Sequence, residues 1–257
     1  MNFFWKKLLF VVSCFYVHTL HADAPKAWAL YFQEPATPIM SYLKNFHDYL
    51  LWLSFAIAGF VTFVIVLIVF KFRAQKNPTP SKFVHNTKLE IVWTLIPTLI
   101  IIILAVPTFK IMYVMDHVPP ADLTVKVTGH QWYWSYEYPS SKIAFDSYII
   151  KDEDLKPNQI RLLSVDRPLI VPVDSVVEVL LTSTDVIHSW AIPSFGLKKD
   201  TIPGKLNQTW FKAIKEGTYY GQCSELCGLG HGFMPIQIEV VSKEAFAQWV
   251  ETQKQKK

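Results

Sequence analysis

Two long apolar runs separated by a short basic loop constrain the fold of this chain more than any other feature. The first run covers residues 49–70 and the second covers residues 91–111. About twenty consecutive apolar residues are enough for a helix to cross the hydrocarbon core of a bilayer. Pro97 and Pro107 interrupt the second run, and membrane helices tolerate prolines because neighbouring groups satisfy the freed carbonyls. The sequence therefore predicts a transmembrane helix hairpin over residues 49–111.

The distribution of charge indicates how this hairpin is oriented. Residues 71–88, which contain the loop between the runs, carry five basic residues and no acidic residue. The positive-inside rule places such a loop in the cytoplasm or the mitochondrial matrix, so both flanks of the hairpin are expected on the opposite side. Between Glu137 and Asp185, nine acidic residues outnumber five basic ones. The net charge of +4 therefore reflects a membrane flank and does not indicate a nucleic-acid partner.

The first 48 residues have the pattern of an exported N-terminus. Residues 1–22 combine a positive start, a short apolar core and a cleavage site near Ala22, which predicts a signal peptide. Two alternatives are an uncleaved anchor helix and lipid attachment at Cys14. Residues 23–48 are polar and contain proline, and we interpret them as an exported segment that precedes the first membrane helix.

Beyond the second apolar run, the chain changes to the pattern of β-strands. Apolar residues recur at every second position within residues 123–127, 177–181 and 236–240, as expected for strands with one buried face. Proline and glycine break the strands at short intervals, which is typical of all-β domains. We therefore predict an antiparallel β-sandwich or Greek-key barrel over residues 117–245.

The end of the chain returns to a helical pattern. Phe246, Trp249 and Val250 fall on one face of a helix, so residues 246–257 are predicted to form a short helix and a tail. The predicted fold class is thus membrane α plus all-β, with a two-helix hairpin before the β-domain.

Four side chains that commonly bind metals lie within twelve residues near the end of the strand pattern. Thiolate and thioether groups are soft ligands and imidazole is intermediate, a mixture that favours copper over magnesium or calcium. The presence of two thiolates allows two sulfurs to bridge a pair of copper ions. The four residues are Cys223, Cys227, His231 and Met234.

Two simpler interpretations of this motif are a disulfide and a structural zinc site. Cys223 and Cys227 are close enough in sequence to form a disulfide in an exported domain, and two cysteines with histidine commonly bind zinc. Neither explains Met234, because zinc gains little from a thioether. Neither explains the glycines that alternate around His231, which indicate that the backbone approaches another group closely. We therefore favour copper.

Four separated motifs, including this one, resemble the cytochrome c oxidase subunit II family. Residues 219–228 together with His231 and Met234 are similar to the CuA loop of that family. The other three motifs are GHQWYWSYEY at residues 129–138, DVIHSW at residues 185–190 and IPGKLNQ at residues 202–208. The resemblance extends from about the first membrane helix to the C-terminus.

The resemblance implies a cupredoxin-like barrel with a CuA centre of two copper ions. Two cysteines bridge the coppers, two histidines each bind one copper, and a methionine and a backbone carbonyl complete the set. The side chain of Glu225 is implied to face a magnesium ion shared with subunit I. The implied copper ligands are His188, Cys223, the Glu225 carbonyl, Cys227, His231 and Met234.

The resemblance also implies a role in respiration. It identifies the chain as the subunit that accepts electrons from cytochrome c and passes them to haem in subunit I, coupled to proton translocation. Trp132 is the implied point at which electrons enter, and Glu90 is implied to lie near the entrance of a proton path. An acidic patch would attract cytochrome c and raise the encounter rate. Its implied members are Glu137, Asp146, Asp166 and Asp185.

Three other classes of protein share part of this pattern. A quinol-oxidase subunit has the hairpin and barrel but lacks the copper ligands, and nitrous oxide reductase needs a large additional domain. A membrane-tethered copper carrier would present open cysteine or methionine motifs. No Cys-x-x-Cys-His motif occurs, so the cytochrome is expected to be a separate protein. The signal-like N-terminus favours a bacterial inner membrane, with the copper domain in the periplasm, over the mitochondrial inner membrane.

Overall fold

A computed structural model describes residues 24–79 and 81–255, so the predicted signal peptide and Cys14 lie outside the described residues. Two long helices, α1 (Pro38–Lys71) and α2 (Thr87–Asp116), precede ten strands and a final helix, α3 (Lys243–Gln255). The strands are β1 (Leu123–His130), β2 (Tyr133–Tyr138), β3 (Ile143–Ser147), β4 (Leu169–Pro172), β5 (Val176–Ser183), β6 (His188–Ile192), β7 (Leu197–Thr201), β8 (Asn207–Lys212), β9 (Gly217–Cys223) and β10 (Pro235–Val241). The predicted fold class is confirmed.

Both long helices are apolar and long enough to cross a membrane. Helix α1 begins at Pro38, well before the predicted start at residue 49, so residues 38–48 of the segment predicted to precede the membrane are helical. The Thr37 side chain accepts a hydrogen bond from the Met40 amide and Pro38 occupies the first turn, an arrangement that favours helix initiation. The apolar run of the sequence predicted only the apolar part of the helix, because the residues at its capped beginning are more polar. Helix α2 contains both Pro97 and Pro107.

The β-domain is a sandwich of two five-stranded sheets. One sheet has the strand order β3-β2-β1-β5-β8 and the other has the order β4-β10-β9-β6-β7. The prediction of an antiparallel sandwich is wrong in two places, since β1 pairs with β5 and β10 pairs with β4 in parallel. Alternating apolar residues show that a strand has one buried face, but they do not reveal the direction of its neighbour.

The core lies between the two sheets and includes most of the aromatic run of β2. Trp134, Tyr136 and Tyr138 alternate along the strand and are almost fully buried. The Tyr138 hydroxyl donates to the Ile170 carbonyl at 2.8 Å and accepts from the Ile170 amide, so its polar end is satisfied inside the core. Helix α3 covers this region, with the Trp249 ring centroid 5.1 Å from that of Tyr138.

The membrane helices are attached to the domain by polar contacts at the beginning of α1 and the end of α2. The Thr37 hydroxyl donates to the Phe195 carbonyl at 2.8 Å, and the Ala36 amide donates to the Ser194 carbonyl at 2.8 Å. At the end of α2, the Trp210 indole donates to the Val114 carbonyl at 3.0 Å. Ser194 and Phe195 belong to a turn that directly follows β6. One end of β6 is therefore fixed to the base of the membrane helices.

Candidate metal centre

The fold brings the six predicted ligands together at the end of the sandwich. His188 is the first residue of β6 and Cys223 is the last residue of β9. These two strands are antiparallel neighbours, with Trp190 opposite Cys223, so the ladder between them sets the spacing of the first two side chains. The remaining predicted ligands lie on the loop that connects β9 to β10.

The donor atoms form one continuous cluster. The Sγ atoms of the two cysteines are 3.8 Å apart. The Cys223 sulfur is 3.9 Å from Nδ1 of His188 and 3.4 Å from the Glu225 carbonyl oxygen. The Cys227 sulfur is 3.5 Å from Nδ1 of His231 and 3.6 Å from the Met234 sulfur. Each cysteine is thus flanked by one imidazole nitrogen and one weaker ligand.

These distances fit a metal site and not a disulfide. A disulfide requires sulfurs about 2.05 Å apart, and both cysteines are free. Two atoms that bind the same metal at about 2.3 Å are separated by at most about 4.6 Å, and the five distances given above are below that limit. Because thiolate and thioether sulfur select soft metals, the cluster could bind copper.

The protein environment prepares one of the two thiols for metal binding. Burial by itself would raise the pKa of the Cys223 thiol, but hydrogen bonds with His188 and with the backbone of Glu225 and Ser189 outweigh burial and lower the pKa to about 6. Burial and the adjacent Cys223 charge raise the pKa of Cys227. Two neighbouring thiolates repel each other in the absence of a cation. Loss of the proton from both thiols is therefore favoured only when a positive charge lies between the sulfurs.

Asp185 fixes the orientation of the His188 ring. Nε2 of His188 lies 2.9 Å from Oδ1 of Asp185, while the ring itself is fully buried. A proton on Nε2 that is donated to this carboxylate leaves the Nδ1 lone pair directed at the cluster, and such carboxylate partners commonly orient ligating histidines. Backbone amides of Gln131 and Val186 also donate to Asp185.

Replacement of this carboxylate tests its orienting role. We expect Asp185→Asn to lower copper affinity by about 10- to 100-fold, since the loss of a partner of this kind typically has an effect of that size. Competition with a chelator of known affinity measures the change. Asp166→Asn is the matched control, because Asp166 contacts the exposed Tyr148 amide and is outside the cluster. Equal affinities for the wild-type protein and Asp185→Asn would contradict the prediction.

The glycines of the ligand loop make room for Trp132. A Cβ atom on Gly230 would overlap the Trp132 ring, and one on Gly228 would lie 3.1 Å from it. The ring is held by a hydrogen bond of 3.2 Å from its Nε1 to the Cys227 carbonyl. The close approach that the sequence predicted is therefore to an indole, whereas Gly232 has open space around it.

Comparisons with known proteins agree with this geometry. Residues 123–241 match the family model "Cytochrome C oxidase subunit II, periplasmic domain", and residues 25–111 match "Cytochrome C oxidase subunit II, transmembrane domain". A probable cytochrome c oxidase subunit 2 from Rickettsia bellii is 52% identical over 95% of this chain and 88% of its own length. The chain belongs to the cytochrome c oxidase subunit II family. The family resemblance of the sequence is thereby confirmed.

Two further relatives support the assignment to subunit II. Cytochrome c oxidase subunit 2 from Cyanidium caldarium is 46% identical over 89% of this chain and 92% of its own length. The crystal structure of the periplasmic domain of subunit II of cytochrome oxidase from Bradyrhizobium japonicum is 57% identical, with a TM-score of 0.51. It covers 55% of this chain and 99% of the crystallised one. The chain is thus a subunit of an oxidoreductase.

The remaining predicted site residues of this subunit II lie outside the ligand cluster. Glu90 is in the first turn of α2, where it accepts from the Asn86 amide at 3.3 Å and pairs with His85 at 2.9 Å. Glu137 and Asp146 are exposed on β2 and β3. Asp166 is exposed in the loop before β4. Asp185, which the sequence grouped with these acids, is also exposed, and one oxygen of its carboxylate lies 2.9 Å from Nε2 of His188.

Two residues of the centre were not singled out by the sequence prediction. The Gln131 side chain donates to the Cys227 carbonyl at 2.8 Å, so that carbonyl accepts two side-chain hydrogen bonds. The Trp134 indole donates to the Met234 carbonyl at 3.1 Å and so positions the thioether. Both lie in the aromatic motif that the sequence resemblance marked, but the motif alone does not indicate which carbonyls they contact.

Proposed function

We propose that this chain is the electron-accepting subunit of cytochrome c oxidase and holds a binuclear copper centre. The observation that carries the proposal is the pair of free sulfurs 3.8 Å apart, with an imidazole nitrogen beside each. When bound, the copper pair accepts and releases one electron at a time. Electrons come from cytochrome c and continue to haem in subunit I, where oxygen reduction is coupled to proton translocation.

The protein contributes rigidity to this transfer. His188 and Cys223 are fixed by paired strands, and Cys227 and Met234 are buried. Tight packing restricts how far these side chains move, so the ligand positions change little between oxidation states. Hydrogen bonds on the Cys227 and Met234 carbonyls restrict the loop further. A small rearrangement favours fast electron transfer over catalysis at the metal.

An EPR spectrum of residues 117–255 reconstituted with copper tests the binuclear centre. The crystal structure of the isolated Bradyrhizobium japonicum domain supports the expectation that this fragment folds alone. One unpaired electron shared equally between two copper nuclei gives a seven-line hyperfine pattern. A four-line pattern would indicate a mononuclear site, and stable binding of zinc alone would indicate a structural site. Either result would contradict the proposal.

Trp132 is the proposed point at which electrons enter. Its indole is partly buried and contacts the backbone of a bridging cysteine through the Nε1 hydrogen bond. We expect Trp132→Phe, which keeps a ring against the glycines but removes the donor, to slow electron uptake from cytochrome c by about 10-fold or more. Stopped-flow reduction measures this rate. The copper spectrum should persist, and the control Trp249→Phe, beneath α3, should keep the wild-type rate.

The exposed acids Glu137, Asp146, Asp166 and Asp185 are proposed to attract cytochrome c. Complementary charge raises the rate of encounter, and this effect is screened by salt. Replacement of Asp146 by asparagine should therefore reduce the dependence of the reaction rate on ionic strength. An unchanged salt dependence would show that Asp146 is not part of the acidic patch that attracts cytochrome c.

Two further roles are proposed for glutamates of this chain. The exposed Glu225 side chain would contribute to a magnesium site shared with subunit I, because carboxylate oxygen suits a hard cation. Glu225→Gln in the assembled oxidase should then weaken binding of Mn²⁺, a paramagnetic substitute for Mg²⁺.

Glu90 would lie at the entrance of a proton path in subunit I. Glu90→Gln should slow turnover while electron uptake from cytochrome c stays unchanged, and unaffected turnover would contradict this role.

The proposed location is a bacterial inner membrane, with the β-domain in the periplasm. The basic loop between α1 and α2 supports this orientation through the positive-inside rule, and the Rickettsia relative supports a bacterial host. Protease added to spheroplasts should digest the β-domain and leave the loop intact. Digestion of the loop alone would indicate the opposite orientation and would contradict the proposal.

A further inference from the structure

An apolar pocket of about 270 Å³ lies where both membrane helices meet the β-domain. Three structural elements contribute its walls: the beginning of α1, the end of α2 and strand β8. The pocket is open on one side and one charged residue, Lys110, lies among its apolar walls. The walls are formed mainly by Ile39, Tyr42, Ile111, Val114 and Trp210.

The place of this pocket in the fold, between the ends of two apolar helices and the β-domain, fits the boundary between membrane and water. Helix α2 ends at Asp116, and at a rise of about 1.5 Å per residue Lys110 lies roughly 9 Å below that end. Tyr42 and Trp210 are of the amphipathic aromatic type that is enriched at membrane interfaces. The hydrogen bond from Trp210 to the Val114 carbonyl holds the pocket wall formed by β8 against α2.

Lys110 has no acidic partner in the part of the chain that the structure describes. None of the ion pairs there includes it, and the nearby Asp116 is paired with Lys199 at 3.5 Å. Between Glu90 and Asp116 it is the sole charged residue of α2. An ionisable group within a membrane helix is costly without a partner, so a negative charge supplied from outside the chain is favoured here.

We propose that this pocket binds an anionic phospholipid, with its phosphate on Lys110 and part of one acyl chain between α1, α2 and Trp210. A volume just below the range of pockets for drug-sized ligands suits a segment of hydrocarbon. The apolar walls match an acyl chain, and the single cation at headgroup depth matches a phosphate. Basic pockets between membrane helices bind such headgroups by the same chemistry. This lipid site is independent of the copper centre and of electron transfer.

Native mass spectrometry of the full chain in detergent micelles tests the lipid site. Micelles are supplied with phosphatidylglycerol or with phosphatidylcholine at equal concentration. We expect one phosphatidylglycerol to be retained in preference to phosphatidylcholine. Lys110→Gln should lower its retention about fivefold, as the loss of one cation at a membrane surface implies. The control Lys71→Gln, at the opposite end of α1, should retain the lipid as the wild type does.

A second variant tests whether the lipid occupies this pocket and not another surface. Ile111→Phe enlarges a buried wall residue and should reduce retention of both lipids, with helicity by circular dichroism as the check on folding. Equal retention of the two lipids by the wild type, or no change in Lys110→Gln, would overturn the proposal. Full retention by a folded Ile111→Phe variant would also overturn it, because the lipid would then bind elsewhere. Loss of subunit I from the purified oxidase in Ile111→Phe, without loss of lipid, would assign the pocket to a protein contact instead.

Discussion

Replacement of Cys223 by serine should abolish the shared-electron spectrum and reduce oxidase turnover to background. The Cys223 sulfur contacts three other groups of the cluster, His188, Cys227 and the Glu225 carbonyl, so its loss would remove one of the two proposed bridging sulfurs and leave all three groups without this neighbour. Serine is a hard oxygen ligand that is rarely ionised near neutral pH and does not replace a soft thiolate. EPR of the copper-loaded domain and turnover of the assembled oxidase measure the two effects.

The control for this variant is Ser224→Ala, one residue further along the same loop. The Ser224 side chain is outside the ligand cluster, whereas its backbone amide donates to the Ser189 carbonyl and is unaffected by the change. We expect Ser224→Ala to keep the seven-line pattern and most of the turnover. A seven-line pattern in Cys223→Ser would show that Cys223 is not a bridging ligand and would refute the proposed centre.

Gly221→Ala should strongly destabilise the β-domain. A Cβ atom at position 221 would overlap the carbonyl oxygen of Ala191 on the neighbouring strand, which is backbone and has no rotamer to adjust. Strands β6 and β9 must then separate next to His188 and Cys223. Overpacking usually costs about 1–3 kcal/mol, and we expect a loss of stability of about 3 kcal/mol with weakened copper binding. Urea unfolding of residues 117–255 measures the stability.

Gly232→Ala provides the matched comparison for this substitution. A Cβ atom at position 232 would have open space around it, with no neighbouring atom within 4 Å, so the same chemical change meets no obstacle there. Surface substitutions of this kind usually change stability by less than about 0.5 kcal/mol. Similar unfolding midpoints for Gly221→Ala and Gly232→Ala would show that β6 and β9 are not in close contact at this point.

The membrane helices and four members of the candidate metal cluster could be predicted because their signals are local. Twenty apolar residues in succession predict a membrane helix whatever surrounds them, and Cys223, Cys227, His231 and Met234 are close in sequence. His188 lies on a different strand and was assigned through the family resemblance. The beginning of α1 was missed because its capping by Thr37 and its contacts with the β-domain do not depend on apolarity.

Other features were missed because they depend on contacts between distant parts of the chain. Asp185 was grouped with exposed acids, and its role toward His188 follows from the fold of the loop before β6. The glycines around His231 predicted a close approach correctly, but Trp132, about a hundred residues earlier in sequence, is the group that occupies the space. Sequence spacing thus reveals that backbone is crowded without revealing by which residue.

Strand β6 connects the candidate metal centre to the base of the membrane helix α1. It begins with His188 of the candidate metal centre and leads, at its other end, directly into the turn that holds the base of α1. The five residues of β6, at about 3.3 Å each, set the distance between the metal centre and the base of α1. Pairing with β7 on one side and β9 on the other prevents the strand from stretching or slipping. Insertions in the loop between the membrane helices would leave this distance unchanged. The distance between the candidate metal centre and the membrane helices is therefore fixed by sheet geometry and not by the length of a flexible linker.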